Sequence, residues 1–253
     1  MALKRIIPCL LLRDNGLVKT IKFKKSTYIG DPLNAVKIFN EKEVDELVFL
    51  DIDATNDNKE PPYELIQDIA KECFMPFCYG GGIKTVDQVR RIIASGAEKV
   101  AINSASFLNQ EFIREAVKIF GSSTIVASID YKNNIFGKQL VYIKGGKKST
   151  KKNPVAYAKE MEDLGVGEIF LNSIERDGMM GGYDVETILK VADAVSIPVI
   201  ACGGAGNLQD FEDIFRETNI SAVAAGSFFV FQSKKKGVLI SYPNTREIEE
   251  ITN

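Results

Sequence analysis

Carboxylates that closely follow predicted strands are the side chains of this chain best suited to acid–base chemistry. They are Asp51, Asp53, Asp130, Glu175 and Asp177. Two carboxylates that face one substrate act as general acid and general base when their surroundings give them different protonation states. Asp130 is the strongest candidate for this role. An alternative explanation, that its carboxylate caps a turn or binds a ligand hydroxyl, remains open.

A leucine stands where a second such carboxylate is expected. The counterpart of Asp130 in the first half of the chain is Leu11, and a leucine side chain neither donates nor accepts a proton. The chain contains no histidine, so proton transfer near neutral pH must use carboxylates, lysine, cysteine, tyrosine or groups of the substrate. We expect no metal site and no cofactor.

Glycine-rich segments after four predicted strands are suited to phosphate binding. Residues 202–206 read CGGAG and 225–227 read AGS, while GGG at 80–82 and NS at 103–104 repeat the arrangement. Glycine lets backbone N–H groups approach an anion, although tight turns also select it for steric reasons alone. The doubling favours a ligand with two phosphates. The predicted phosphate-binding residues are Gly81, Gly82, Asn103, Ser104, Gly203, Gly204, Ala225, Gly226 and Ser227.

Charged residues also recur at the starts of predicted strands, namely Arg5, Glu46, Lys99 and Glu168. In a barrel of parallel strands these positions share the lower rim, where a stabilising ion network is the usual explanation.

Lysines cluster in two predicted loops, at 19–25 and 144–152. We expect the first to form a lid over an anionic ligand and the second to be a solvated charged surface.

The elements that must position these residues are short strands alternating with amphipathic helices. Helices are predicted over 85–95 and 154–164 from their apolar spacing. Strict alternation implies a parallel sheet covered by helices. The predicted strands span residues 5–12, 47–52, 76–79, 99–102, 124–129, 169–171, 198–201 and 222–225.

The sequence also repeats itself at an offset of 122 residues. Residues 35–107 align with 157–229 without a gap, matching Glu46 with Glu168 and Gly81 with Gly203. Chance similarity between two βα blocks is the alternative, and an ungapped match of this length argues against it. A doubled block of four βα units predicts a (βα)8 TIM barrel, as one domain over residues 1–253.

Composition limits the classes of partner. The chain has 253 residues, 45% of them hydrophobic, and a net charge of −2, which gives no electrostatic reason to expect nucleic acid or an anionic membrane. The sequence contains neither an apolar run of about 20 residues nor a signal-peptide pattern, so we expect a cytoplasmic protein. Cys9, Cys73, Cys78 and Cys202 form no CxxC pair, which favours core thiols over disulfides.

Taken together, these residues resemble the HisF family, the cyclase subunits of imidazole glycerol phosphate synthase, over essentially the whole chain. The resemblance is carried by KRIIPCL, GDP at 30–32, DELVFLDI, GGGI, EKVAIN, ASID, SIERDG, GYD and CGGAG. It implies a barrel whose floor docks a HisH-like glutaminase, the source of ammonia. It assigns Arg5, Glu46, Lys99 and Glu168 to an ammonia gate, Asp177 and Gly178 to phosphate binding, and Lys19 and Asp51 to the substrate site.

The chain departs from the family pattern at the acid–base pair. The family uses aspartates at the ends of its first and fifth strands; the second matches Asp130 and the first maps onto Leu11. Met179 replaces a common threonine and Asn172 a hydroxyl residue. Loss of a general acid or base lowers a rate by about 10²- to 10⁴-fold, so independent cyclase turnover is doubtful.

Segments 9–32 and 237–243 resemble a divergent HisF branch associated with amidation of N-acetylated sugars, as acetamidino groups, for surface polysaccharides and glycans. There a HisH-like glutaminase and a HisF-like barrel supply ammonia to a separate sugar amidotransferase. Three functions are therefore weighed: an ammonia-channelling subunit for sugar amidation, a working cyclase of histidine biosynthesis, and a non-catalytic scaffold that activates the glutaminase.

Overall fold

The computed structural model describes residues 4–232 and 237–252. Within them the strands are β1 (Arg5–Arg13), β2 (Gly16–Ile21), β3 (Lys25–Gly30), β4 (Leu47–Asp51), β5 (Phe77–Gly80), β6 (Lys99–Ile102), β7 (Ile125–Asn133), β8 (Gln139–Ile143), β9 (Lys148–Ser149), β10 (Glu168–Ser173), β11 (Val199–Cys202) and β12 (Ala222–Ala225). Eight of these are parallel and close in the order β1, β4, β5, β6, β7, β10, β11 and β12, with β12 pairing back to β1. The predicted (βα)8 barrel is confirmed.

Helices connect the barrel strands on the outside. They are α1 (Pro32–Glu41), α2 (Ala54–Asp57), α3 (Tyr63–Glu72), α4 (Val86–Ala94), α5 (Ser104–Leu108), α6 (Gln110–Phe120), α7 (Pro154–Asp163), α8 (Val185–Ala192), α9 (Leu208–Glu217), α10 (Ser227–Val230) and α11 (Thr245–Thr252). The helices predicted over 85–95 and 154–164 are α4 and α7. Across the described part of the chain, no helix has the length and apolar character needed to cross a membrane.

Corresponding elements of the two halves lie 122 residues apart. Helix α1 begins at Pro32 and α7 at Pro154. Helices α4 and α9 each begin with a capping box, whose cap residues are Thr85 and Asn207. Such caps satisfy the first free N–H groups of a helix and fix where the chain leaves the preceding loop. The glycine-rich segments that precede these two helices therefore reach the same rim of the barrel.

Two β-hairpins extend beyond the upper rim. Strand β2 pairs antiparallel with the end of β1 and with β3, and β8 pairs with the end of β7 and with β9. Most of the lysine-rich segments predicted as loops therefore belong to hairpins, which corrects that prediction. The physical reason is that β1 and β7 each run for 9 residues, so their upper ends need backbone partners beyond the barrel.

Side chains alternate between two apolar layers along the barrel strands. Outward residues pack under the helices, and inward residues form a separate cluster inside the barrel. That inner cluster consists of Ile7, Cys9, Leu11, Val18, Val48, Cys78, Ala101, Val126, Phe170, Ile200, Cys202, Ala222 and Ala224. The alternation follows from the two-residue period of a strand. Inward side chains above this cluster line a cavity at the carboxyl ends of the barrel strands.

Candidate functional site

A cavity of about 370 Å³ opens at the carboxyl ends of the barrel strands. This is the rim where (βα)8 enzymes place their chemistry. Apart from Glu175, the residues predicted for the upper site line it: Lys19, Asp51, Asp53, Gly81, Gly82, Asn103, Ser104, Asp130, Asp177, Gly178, Gly203, Gly204, Ala225, Gly226 and Ser227. Glu175 does not line the cavity; its carboxylate accepts a hydrogen bond from Asn133 N. The roles of the cavity-lining residues in catalysis and phosphate binding remain predictions.

Asp130 is a buried carboxyl held by two amide side chains. It is 8% exposed, and its Oδ2 and Oδ1 accept hydrogen bonds of 3.2 Å from Asn103 Nδ2 and Asn172 Nδ2 respectively. Burial raises the pKa of Asp130 to about 7, against the opposing effect of the Asn172 hydrogen bond, with a further increase from nearby Asp177. A carboxyl with a pKa near 7 is suited to exchange a proton at neutral pH.

Leu11 lines the same cavity and continues the apolar interior of the barrel. Its side chain is 8% exposed and belongs to the inner cluster, against which Leu50 and Ile52 also pack. Strand register places Leu11 beside Val18 and Leu50. The wall around position 11 is therefore apolar, and in this part of the cavity Leu11 supplies no proton donor or acceptor.

Asp177 fastens the β2–β3 hairpin beside the cavity. Its carboxylate forms an ion pair with Lys19, accepts a 2.7 Å hydrogen bond from Thr20 Oγ1 and accepts another from Phe23 N. Lys19 is only 6% exposed, so the pair is largely shielded from water. Lys19 thus belongs to a packed hairpin. Sequence reasoning selected both residues without anticipating that they contact each other.

The glycine segments of the upper rim serve steric needs at several positions. Gly203 and Gly204 have positive φ values of 92° and 127°, and a Cβ on Gly204 would lie 2.0 Å from Gly182 O. No larger residue fits there without moving the backbone. Steric need therefore accounts for Gly204, and phosphate binding at this segment remains a prediction. Nearby Ser227 Oγ is buried and, within the described chain, has no hydrogen-bond partner.

A closed ring of four charged side chains lies across the floor of the barrel. Arg5 forms ion pairs with both Glu46 and Glu168. Lys99 Nζ lies 3.0 Å from Glu46 Oε1 and 2.9 Å from Glu168 Oε2. Burial alone lowers the pKa of Lys99, but the attraction of Glu168 and Glu46 outweighs it and the pKa ends above its usual value. The four residues of the predicted gate are thus brought together.

Comparison with known proteins agrees with this geometry. The sequence model of the family described as "Histidine biosynthesis protein" matches residues 5–235. A Pseudomonas aeruginosa protein with the provisional name imidazole glycerol phosphate synthase subunit hisF2 is 52% identical over 98% of this chain and 99% of its own. A Leptospira borgpetersenii protein, also provisionally named as HisF, is 49% identical over 98% of both chains. The Streptococcus mutans subunit HisF is 41% identical over 90% of this chain and 91% of its own.

The chain belongs to the HisF family.

Several features of this HisF chain were missed by sequence reasoning. Arg13 forms a bidentate pair with Asp53, with Nε 2.5 Å from Oδ2, and also donates to Ser26 Oγ over 2.6 Å. Arg13 and Asp53 both line the cavity, and the three residues join β1, β3 and the start of α2. Asp53 was considered only as an acid–base candidate. The sequence signal that could have placed Arg13 at the site is its position two residues after Leu11 on the same strand, since alternate strand residues share a face.

Asn172 is a second residue whose contribution emerged only in the fold. It is the second-last residue of β10, lies directly opposite Asp130 in the strand register, and lines the cavity. From the sequence it was only a departure from the HisF pattern.

Among the described residues, no group of three or more acidic or cysteine side chains is placed to hold a metal ion.

Buried groups around the site resist ionisation. Burial raises the pKa of Asp51, although backbone N–H groups of Ala54 and Asp53 hydrogen-bond its Oδ1 and oppose the change. The pKa of the Cys202 thiol is raised by its hydrogen bond with Cys9 and by burial. Cys9 and Cys202 both line the bottom of the cavity as free thiols. Burial thus raises the pKa of the carboxyl groups of Asp51 and Asp130 and of the Cys202 thiol, all of which line the cavity.

Proposed function

We propose that this HisF-family chain is the barrel subunit of a glutamine amidotransferase complex, and that it receives ammonia from a HisH-like glutaminase at its floor. The observation that carries the proposal is the closed ring of Arg5, Glu46, Lys99 and Glu168 beneath an apolar barrel interior that leads to the buried carboxyl of Asp130. Two cations shared between two carboxylates give an entrance that is neutral overall. Ammonia, being small and uncharged, enters such an interior more easily than ions do.

We further propose that the delivered ammonia is used to amidate an N-acetylated sugar in surface polysaccharide or glycan synthesis, through a separate sugar amidotransferase. The support is Leu11. Ring closure in the HisF family relies on an acid–base pair, and here one member is replaced by a side chain packed into an apolar wall. The upper site then keeps a place for a phosphorylated ligand but lacks half of the cyclase machinery.

The second candidate is a working cyclase of histidine biosynthesis. The relative from Streptococcus mutans carries the full name imidazole glycerol phosphate synthase subunit HisF, and burial gives Asp130 a pKa of about 7, which suits a single group that both takes up and releases a proton. A scaffold that only activates its glutaminase would share the ring but would have no upper-site activity.

Turnover of the bisphosphate substrate of imidazole glycerol phosphate synthase with excess ammonium salt separates the first two candidates. We expect the wild-type chain to turn over at least about 100-fold more slowly than a HisF cyclase, because one proton-transfer group is absent. Leu11→Asp should raise the rate if the remaining site is intact, and Leu11→Asn is the matched control that adds polarity without a titrating group. Wild-type turnover at ordinary enzyme rates would contradict the sugar-amidation proposal.

A further inference from the structure

Two adjacent apolar side chains project from the tip of the β7–β8 hairpin. Ile135 is 92% exposed and Phe136 is 86% exposed. Hydrogen bonds fix the turn that carries them, because Asn134 Oδ1 accepts from Phe136 N over 3.0 Å and from Lys138 N over 2.9 Å, and Asn134 N donates to Lys138 O. Water solvates apolar side chains poorly, so an ordered turn that holds both of them outward is suited to contact with an apolar phase.

The β2–β3 and β7–β8–β9 hairpins of the upper rim carry positive charge without negative charge. Residues 16–30 and 131–152 contain eleven lysines and no aspartate or glutamate, although the whole chain has 32 basic and 34 acidic residues. Eight of these lysines are exposed, namely Lys22, Lys24, Lys25, Lys138, Lys144, Lys147, Lys148 and Lys151. The net charge of −2 therefore conceals a cationic upper rim that attracts anions.

The turns of the two hairpins meet at the mouth of the upper cavity. A Cβ on Gly146 would lie 3.3 Å from Cδ2 of the Phe23 ring, so the β8–β9 turn packs against the β2–β3 turn. Lys24 from one turn and Lys147 from the other both line the cavity. Lysines of the two hairpins therefore form one basic surface beside the cavity mouth.

The carboxylates that contact these hairpins do not cancel this positive charge. Glu175 and Asp184 accept hydrogen bonds from the β7–β8 hairpin itself, and Asp177 is paired with the buried Lys19. Two acidic side chains against eight exposed lysines leave the surface cationic. An anionic partner is therefore complementary to this face of the barrel.

Composition favours a lipid bilayer over a protein or a nucleic acid as that partner. All eleven cations of the two hairpins are lysines and none is an arginine. Protein interfaces are enriched in arginine and depleted in lysine, whereas anionic lipid attracts either residue near its surface. A nucleic acid would neutralise the lysines but leave Ile135 and Phe136 in water. A bilayer accommodates both features, because apolar side chains enter the boundary between headgroups and acyl chains.

We propose that the upper rim docks on an anionic lipid bilayer. Ile135 and Phe136 insert at the level of the headgroups, and the exposed lysines of both hairpins contact anionic headgroups around them. Docking directs the cavity mouth toward the membrane surface, because Lys24 and Lys147 also line the cavity. The charged floor lies at the opposite end of the barrel and stays accessible to a partner. The inference goes beyond the proposed function and does not depend on ammonia transfer.

A single tryptophan at the hairpin tip tests insertion, because the chain contains no tryptophan of its own. Phe136→Trp is mixed with vesicles of phosphatidylcholine that contain roughly one third phosphatidylglycerol, and with vesicles of phosphatidylcholine alone. We expect the tryptophan emission to shift to shorter wavelength with the anionic vesicles only. Phe74→Trp is the matched control, since Phe74 is also 86% exposed and precedes β5 at the other end of the barrel. No shift in Phe136→Trp, or equal shifts in both variants, would overturn the proposal.

Sedimentation with the same vesicles tests the lysines. The double variant Lys138→Gln with Lys148→Gln should lower the vesicle partition coefficient at least about five-fold, because each lysine near an anionic surface adds attraction. Lys42→Gln with Lys118→Gln removes two exposed lysines at the ends of α1 and α6, changes the net charge equally, and should bind as wild type does. Equal losses in the two double variants would contradict a local basic surface. Wild type that stays in solution with anionic vesicles at low salt would overturn the proposal and favour an acidic protein as the occupant.

Discussion

Among single residues, Asp130 is a buried carboxyl of the upper site that is held by two amide side chains. Asp130 is a candidate from sequence because it directly follows the strand predicted over 124–129, but the sequence does not predict which side chains surround it. Asn103, which directly follows β6, and Asn172 on β10 donate hydrogen bonds to the carboxylate and are 27 and 42 residues away from it in sequence. The sequence contains no local pattern that pairs these residues, because the contacts arise only when β6, β7 and β10 become neighbours in the closed barrel.

The raised pKa of Asp130 predicts a pH-dependent stability difference. Its folded pKa of about 7 lies above the usual unfolded value of about 3.9, so the folded state binds more protons between those values and loses stability as pH rises through them. Relative to wild type, Asp130→Asn should gain stability from pH 4 to pH 7, by up to about 4 kcal/mol at 1.4 kcal/mol per pKa unit. Urea unfolding at pH 5 and pH 8 measures the part of this difference that lies above pH 5, about 3 kcal/mol.

The matched control for that measurement is Asp163→Asn, an exposed position at the end of α7. Its stability relative to wild type should change little between pH 5 and pH 8. A constant difference between Asp130→Asn and wild type across the same range would show that Asp130 is already ionised in the folded protein.

At the scale of elements, the β2–β3 hairpin is anchored by a buried ion pair that joins distant segments. Lys19 and Asp177 are 158 residues apart in sequence, and Thr20 and Phe23 add hydrogen bonds to the same carboxylate. Sequence periodicity predicted the eight barrel strands well because each has a local apolar pattern. It missed the hairpin pairing, since the exposed face of β3 carries no such pattern.

Removal of the ion pair should release the hairpin. Lys19→Met leaves Asp177 buried without its cation, and breaking one partner of a buried pair costs about 3–5 kcal/mol. We expect faster trypsin cleavage at the exposed residues Lys22, Lys24 and Lys25, because local opening exposes the backbone. Lys190→Met, which removes an exposed pair with Glu186 on α8, is the control. Equal cleavage rates in Lys19→Met and wild type would argue against the anchor.

At the scale of the whole molecule, the barrel separates a charged floor from the cavity at the opposite rim by an apolar interior. Arg5 and Lys99 each contact both Glu46 and Glu168, so the ring joins β1, β6 and β10 with the residue preceding β4. The two glutamates are related by the 122-residue repeat. The doubling of the chain therefore accounts for the two glutamates of the ring, whereas barrel closure brings Arg5 and Lys99 to them.

Charge reversal in the ring tests its role in ammonia transfer. Lys99→Glu places a third carboxylate beside Glu46 and Glu168, which opens the ring by repulsion. In complex with the HisH-like glutaminase, we expect several-fold more of the released ammonia to escape into the medium per glutamate formed. Lys99→Arg keeps the charge, and its complex should lose little more ammonia to the medium than the wild-type complex does. Unchanged escape in a folded Lys99→Glu complex would contradict the gate.

The eight strands, the offset of 122 residues, the charged positions of the floor and the leucine in place of a carboxylate at position 11 were all predictable from the amino-acid sequence. These features are local or periodic, and a strand or helix forms from such patterns because side-chain direction repeats every 2 or 3.6 residues. Only the folded chain shows that the four floor charges touch, that Lys19 pairs with Asp177, and that Asn172 donates to Asp130 while no described residue donates to the buried Asn172 oxygen. Those outcomes depend on strand register and barrel closure, which set distances between residues far apart in sequence.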